Sequence, residues 1–137
     1  MKITIQTIPH TQQRYNTIGD WLTDQVNGTV RIYVSSLGNW RYEVLVAVHE
    51  LIEVFCCLHD GVAEESVTKF DKAFVETDRE PGDSPDAPYR KQHCIATGVE
   101  RIFAACLGVV WVEYENAIER LIIDRELAEK RTKNAGE

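Results

Sequence analysis

His49-Glu50-Leu51-Ile52-Glu53 places an imidazole and two carboxylates inside the otherwise apolar run 44–58. On a helix each residue turns about 100° from the last, so His49, Glu50 and Glu53 fall within one narrow stripe. A buried stripe of this kind is costly unless its groups are paired or hold a cation. Imidazole nitrogen and carboxylate oxygen are both zinc ligands, so the spacing points first to a divalent metal site. The chemistry of such a site is activation of water for hydrolysis. His49 and Glu53 would be ligands, and Glu50 the catalytic proton acceptor.

Further donors recur downstream. His93, Thr97 and Glu100 stand at i, i+4 and i+7, and His93 is read as the third ligand. Glu100 has two readings: a ligand or supporting group, or an acid on the solvent face. Asp71 borders the apolar face of Val67, Phe70 and Phe74. It could ligate, orient a ligating histidine, or pair with Lys69 or Lys72. Ile95, Val99, Ile102 and Phe103 lie on the other faces of the His93 helix and are expected in the core. Two carboxylates within reach also admit manganese or iron, and Glu50, Glu53 and Glu100 together would suit a two-metal phosphoester site. His59-Asp60 could join His49 in the set used by phosphohydrolases, but Asp60-Gly61 is already explained as a helix stop. His10 lies in a polar stretch and is expected to be exposed and inert. Gly82-Asp83-Ser84-Pro85-Asp86 reads as a solvated turn whose acids could alternatively rim a site.

The elements that must position these groups follow from periodicity. Residues 2–8 alternate like a strand closed by Pro9, 10–20 read as a polar loop, and Trp21-Leu22 opens a short second strand. Asn27-Gly28 marks a turn before the β-branched strand 29–34. Asn39 suits the cap of a helix over 40–58, and Gly61 its left-handed terminator. Helices are predicted over 63–77, 88–107 and 112–130, with the proline-rich stretch 80–88 as an irregular loop. In the last helix Tyr114, Ile118, Leu121, Ile122 and Leu127 mark the apolar face. The fold class is α+β: a small N-terminal antiparallel sheet of two or three strands, then a bundle of about four helices, in a single domain over 1–137.

Composition narrows the function classes. The chain has 137 residues, 44% hydrophobic and 27% charged, enough for one core. A net charge of -7 argues against a broad nucleic-acid or anionic-membrane face. No apolar run has the length of a membrane span, and residues 1–5 alternate rather than form a secretion signal, so a cytoplasmic location is expected. Cys56, Cys57, Cys94 and Cys106 lack CxxC spacing and are expected as buried free thiols. Trp21, Trp40 and Trp111 are expected at the core margin.

Residues 29–53 resemble compact zincin metallopeptidases, in which an edge strand, a short connector and an HExxH helix follow in this order. Thr29-Val30-Arg31-Ile32-Tyr33-Val34 corresponds to the strand and Val48-His49-Glu50-Leu51-Ile52 to the helix start; the second histidine is Glu53 here. The resemblance implies a zinc-dependent peptidase, with the strand near Ile32 pairing with an extended peptide. The whole chain also resembles a family of short phage- and prophage-encoded proteins with an HExxE motif. That likeness is carried by Gln13-Arg14-Tyr15, Gly19-Asp20-Trp21, Val46 through Glu53, and Ala87-Pro88-Tyr89 with His93. It implies that the His49 stretch and His93 belong to one site, and, for a phage protein, the host cytoplasm. Two functions follow: a metal-dependent hydrolase acting on a peptide or small molecule, and a non-enzymatic accessory protein that binds a host protein or small ligand around a structural metal.

Overall fold

The computed structural model describes residues 1–137. Three strands, β1 (Lys2–Ile8), β2 (Gly19–Asp24) and β3 (Thr29–Ser35), precede four helices, α1 (Trp40–Asp60), α2 (Glu64–Ala73), α3 (Arg90–Cys106) and α4 (Trp111–Ala135). The α+β class and the order of sheet and helices are those expected. The pairing is mixed rather than wholly antiparallel, because β1 runs parallel to β3 while β2 is antiparallel to it. The strand order is β1-β3-β2. β3 is therefore central and its backbone is paired on both sides, so an added peptide strand cannot dock on it as the zincin likeness implied. The sheet edges belong to β1 and β2.

Local chemistry accounts for these elements. Asp24 accepts from the backbone and side-chain nitrogens of Asn27, and Gly28 takes a φ of 64°, closing the β2–β3 hairpin. Alternation in β3 sends Val30, Ile32 and Val34 into the core. The Asn39 side chain accepts from the Arg41 amide at the start of α1, and Gly61, at φ 73°, ends that helix with its amide bonded to the Cys57 carbonyl. α2 stops at Ala73, four residues short of the expected boundary, while α4 runs beyond residue 130 to Ala135.

The core lies between the sheet, α1 and the inner faces of α3 and α4. It includes Trp21, Ile32, Leu45, Val54, Ala104 and Tyr114. Several sequence expectations change here. Ile95, Val99 and Ile102 are exposed, Ile102 by 70%, and only Phe103 of that set packs partly against the core. α3 instead turns Gln92, His93, Ala96, Glu100 and Ala104 inward. Trp40 is exposed, as is Leu127. All four cysteines are free, but only Cys57 is buried; Cys56 is half-buried, and Cys94 and Cys106 are exposed. His10 is buried rather than exposed, with Nδ1 against the Ser35 hydroxyl at 2.8 Å and Nε2 against Asn16 Oδ1 at 2.9 Å.

The segment between β1 and β2 is held from the far end of the chain. Arg125 of α4 donates to the carbonyls of His10, Gln13 and Tyr15. The Asn16 amide returns a hydrogen bond to the Ile122 carbonyl. No helix is long and apolar enough to cross a membrane.

Candidate metal centre

α1 and α3 pack side by side and bring His49 and His93 together with ring centroids 4.7 Å apart. Glu53, one turn along α1, completes the group. Its Oε2 lies 3.2 Å from His49 Nε2 and 3.1 Å from His93 Nδ1, and those two nitrogens are 3.2 Å apart. All three residues are buried. Ligand atoms about 2.0 Å from a tetrahedral zinc would be about 3.3 Å from one another, so the observed spacing fits one ion.

The surrounding partners leave lone pairs facing this point. His49 Nδ1 donates to Glu100 Oε2 at 2.7 Å, and the Tyr114 hydroxyl donates to Glu100 Oε1. That assignment, made from partners, leaves Nε2 of a neutral His49 without a proton. Trp21 Nε1 donates to Glu53 Oε1 at 3.0 Å, leaving Oε2 turned towards the imidazoles. On the far side of His93, Nε2 stands 3.3 Å from Glu80 Oε2 and 3.3 Å from Asp83 Oδ1. Neither oxygen meets Nε2 with hydrogen-bond geometry, whereas Nδ1 bonds to Glu53 Oε2 at 3.1 Å, so the partners place the His93 proton on Nδ1. A divalent cation held here would take the place of that proton between the two imidazole nitrogens and the carboxylate oxygen.

The electrostatics point the same way. Burial favours a neutral His49, but the hydrogen bonds of Glu100 and Glu53 outweigh it and hold the imidazole well above its ordinary proton affinity. Burial would likewise raise Glu53, yet the two imidazoles hold it below the usual carboxylate range. The centre is thus one of excess negative potential that protons or a metal ion must balance. The donor set, two imidazoles and a carboxylate, is that of catalytic zinc centres with an open fourth position. The residues present fit a divalent cation.

Glu50 lies outside the donor cluster. It is buried, and a Cβ on Gly19 would come within 2.5 Å of its Oε1. Burial, and then the charge of Glu53, raise its pKa well above the ordinary value. Glu100, for which two readings stood open, is buried 51 residues along the chain from His49 and accepts from it. Its contact with His49 Nδ1 fixes the orientation of the imidazole ring, as a carboxylate does for a histidine that binds metal. Asp71 is further out, accepting from the Tyr15 and Tyr89 hydroxyls, and the Tyr89 ring stands edge-on to His93 at 6.0 Å. His59 and Asp60 are exposed at the end of α1. Asp60 accepts from Lys91 and Gln92 instead of joining His49.

Sequence reasoning missed Trp21 and Tyr114 as polar partners, because aromatic residues at core spacing carry no mark of the atom they will reach. Of the two readings of 82–86, a solvated turn and a rim of acids, the second holds for Asp83, which with Glu80 flanks His93, while Gly82 and Ser84 are buried. The signal was Pro81-Gly82, which forms a 3-10 turn seated on the ring: a Cβ on Gly82 would overlap His93.

Two predictions arise here. Glu100→Gln should weaken zinc binding by about 10- to 100-fold, as loss of an orienting carboxylate does, measured by competition with a chromophoric chelator; unchanged affinity would leave Glu100 with a purely structural place. Gly82→Ala should cost about 1–3 kcal/mol by overpacking the 3-10 turn against His93, read from the urea midpoint of the metal-free protein. An unchanged midpoint would mean that the turn moves freely off the ring.

No protein-family model, curated protein or solved structure matches the chain.

Proposed function

We propose that the protein is a metal-dependent hydrolase. The observation that carries this reading is the convergence of His49 Nε2, Glu53 Oε2 and His93 Nδ1 within 3.2 Å of one another, with an acid, Glu50, next to His49 on the same helix. A zinc ion held by these three residues would supply Lewis acidity to a water molecule and to a substrate carbonyl. Glu50, whose pKa burial and then Glu53 raise, would ionise beside the added positive charge and would then take the proton that the water loses and pass it to the leaving group. Glu100 and Tyr114 hold His49 in the tautomer that offers Nε2. Trp21 fixes the rotamer of Glu53.

A peptide is the favoured substrate class. β2 is an edge strand, and it carries Gly19 against Glu50 and Trp21 against Glu53. An extended chain pairing with β2 would lie beside the donors, a recognised mode of peptide binding. Part of that edge is already in use, since Glu64 accepts from the Thr23 amide.

The test is turnover of zinc-loaded and chelator-treated protein on a panel of unstructured peptides, carboxylic esters and phosphoesters. Peptide cleavage that zinc restores after chelation supports the reading. Bound zinc without turnover of any substrate favours the non-enzymatic accessory protein, with a structural metal. Cleavage of phosphoesters alone would replace the peptide by a phosphorylated substrate.

A further inference from the structure

We propose that His93 serves two divalent cations, one on each ring nitrogen, the outer one completed by Glu80 and Asp83. The inner position is the one on which the hydrolase reading rests; the outer position makes no use of catalysis.

The outer position starts from an unpartnered atom. His93 is only 5% exposed, its Nε2 is inaccessible to water, and no acceptor meets it with hydrogen-bond geometry. A buried ring nitrogen in that condition is unusual and costly. Yet two carboxylate oxygens, one from Glu80 and one from Asp83, each lie 3.3 Å away. Neither is placed to take a directed hydrogen bond from the ring. Oxygens at this range from a nitrogen, off its bonding axis, have the spacing of ligands around a shared ion, which for bonds of about 2.1 Å gives about 3.0–3.4 Å between donors. All three donor atoms fall within 4.8 Å of one another.

The local fold holds this arrangement. The 3-10 turn Pro81–Asp83 lays the Gly82 backbone on the His93 ring, and the residues on either side of Gly82 and Pro81 supply the two acids. Both acids are largely exposed, Glu80 by 58% and Asp83 by 50% of the side chain. The outer ion would therefore keep water in its remaining positions and exchange with solvent, whereas the inner donors are enclosed. Nitrogen with two carboxylate oxygens suits zinc or manganese. Filling both positions displaces the last ring proton of His93, so binding at the outer position releases one proton to solvent.

The experiment is zinc stoichiometry by equilibrium dialysis and elemental analysis on the full chain. The variant is the double substitution Glu80→Gln with Asp83→Asn. Circular dichroism checks its fold, and the exposure of both residues makes it well tolerated. The native protein should hold two zinc ions and the double variant one. Calorimetry in buffers of different ionisation enthalpy should show one proton fewer released by the variant. With cobalt in place of zinc, two ions joined through one imidazole should couple magnetically, reducing the paramagnetic signal per ion relative to the variant. One ion in both proteins overturns the proposal and makes Glu80 and Asp83 mere orienting groups. One ion in the native protein and none in the variant also overturns it. No ion in the native protein would overturn the inner position as well.

Discussion

Glu50→Gln should keep the cation and lose turnover, with kcat falling by about 100- to 10,000-fold, the usual cost of removing a general base. The side chains have the same shape, so the packing of residue 50 against Gly19 survives. The donors His49 Nε2, Glu53 Oε2 and His93 Nδ1 are untouched, because Glu50 contributes no atom to their cluster. On the hydrolase reading, what the substitution would remove is the proton acceptor of the reaction. Zinc content and kcat measured on one preparation separate the possibilities. Loss of zinc would make Glu50 a ligand, and full activity with zinc bound would remove it from the reaction.

His49→Ala should have the largest effect on the protein itself. His49 joins three acidic or basic partners at once: Glu100 through Nδ1, and Glu53 and His93 around Nε2. Its removal strands the buried carboxylate of Glu100 and takes a donor from the cation. Breaking a buried ionic network by deleting one member costs about 3–5 kcal/mol, a large part of the roughly 5–15 kcal/mol that holds a domain of this size together. Zinc affinity should fall by more than about 100-fold, because loss of a mere orienting partner already costs 10- to 100-fold. Ligand linkage gives a second measurement. Zinc at 100 times its Kd should stabilise the native protein by about 2.7 kcal/mol, and His49→Ala should show no such gain at the same concentration. A variant that unfolds at the native urea midpoint and is still stabilised by zinc would refute this account of the centre.

The parts of the fold legible in the sequence were those set by local rules. Asn39 and Gly61 bracket α1 because capping acts within a few residues. The alternation of β3 and the Asn27-Gly28 turn were readable for the same reason. His49, Glu53 and His93 could be picked out by donor chemistry, and the structure brings them together. The orientation of α3 was legible only in part: the stripe His93, Thr97 and Glu100 marked a polar line able to face His49 and Glu53, with the solvent face as the other reading of Glu100, while Ile95, Val99 and Ile102 pointed the opposite way. A helix bearing Ile95, Val99 and Ile102 would ordinarily bury them, since transfer from water favours the apolar face. This helix buries His93 and Glu100 instead. Their compensation comes from His49 and Glu53 on α1 and Tyr114 on α4, and no periodicity within α3 reveals partners on other elements. His10 failed likewise: its partner Ser35 is 25 residues away, on β3. The parallel pairing of β1 depended on the route of the 9–18 segment, which has no regular pattern of its own.

The hold of Arg125 on His10, Gln13 and Tyr15 spans 110 to 115 residues of sequence. A nascent chain emerges N-terminus first, so these three hydrogen bonds form only after Arg125 has been synthesised. The same segment leads into Gly19 and Trp21, which back Glu50 and Glu53. Full support of the centre's backing wall thus waits on α4, and products ending before residue 125 lack this clasp on the segment.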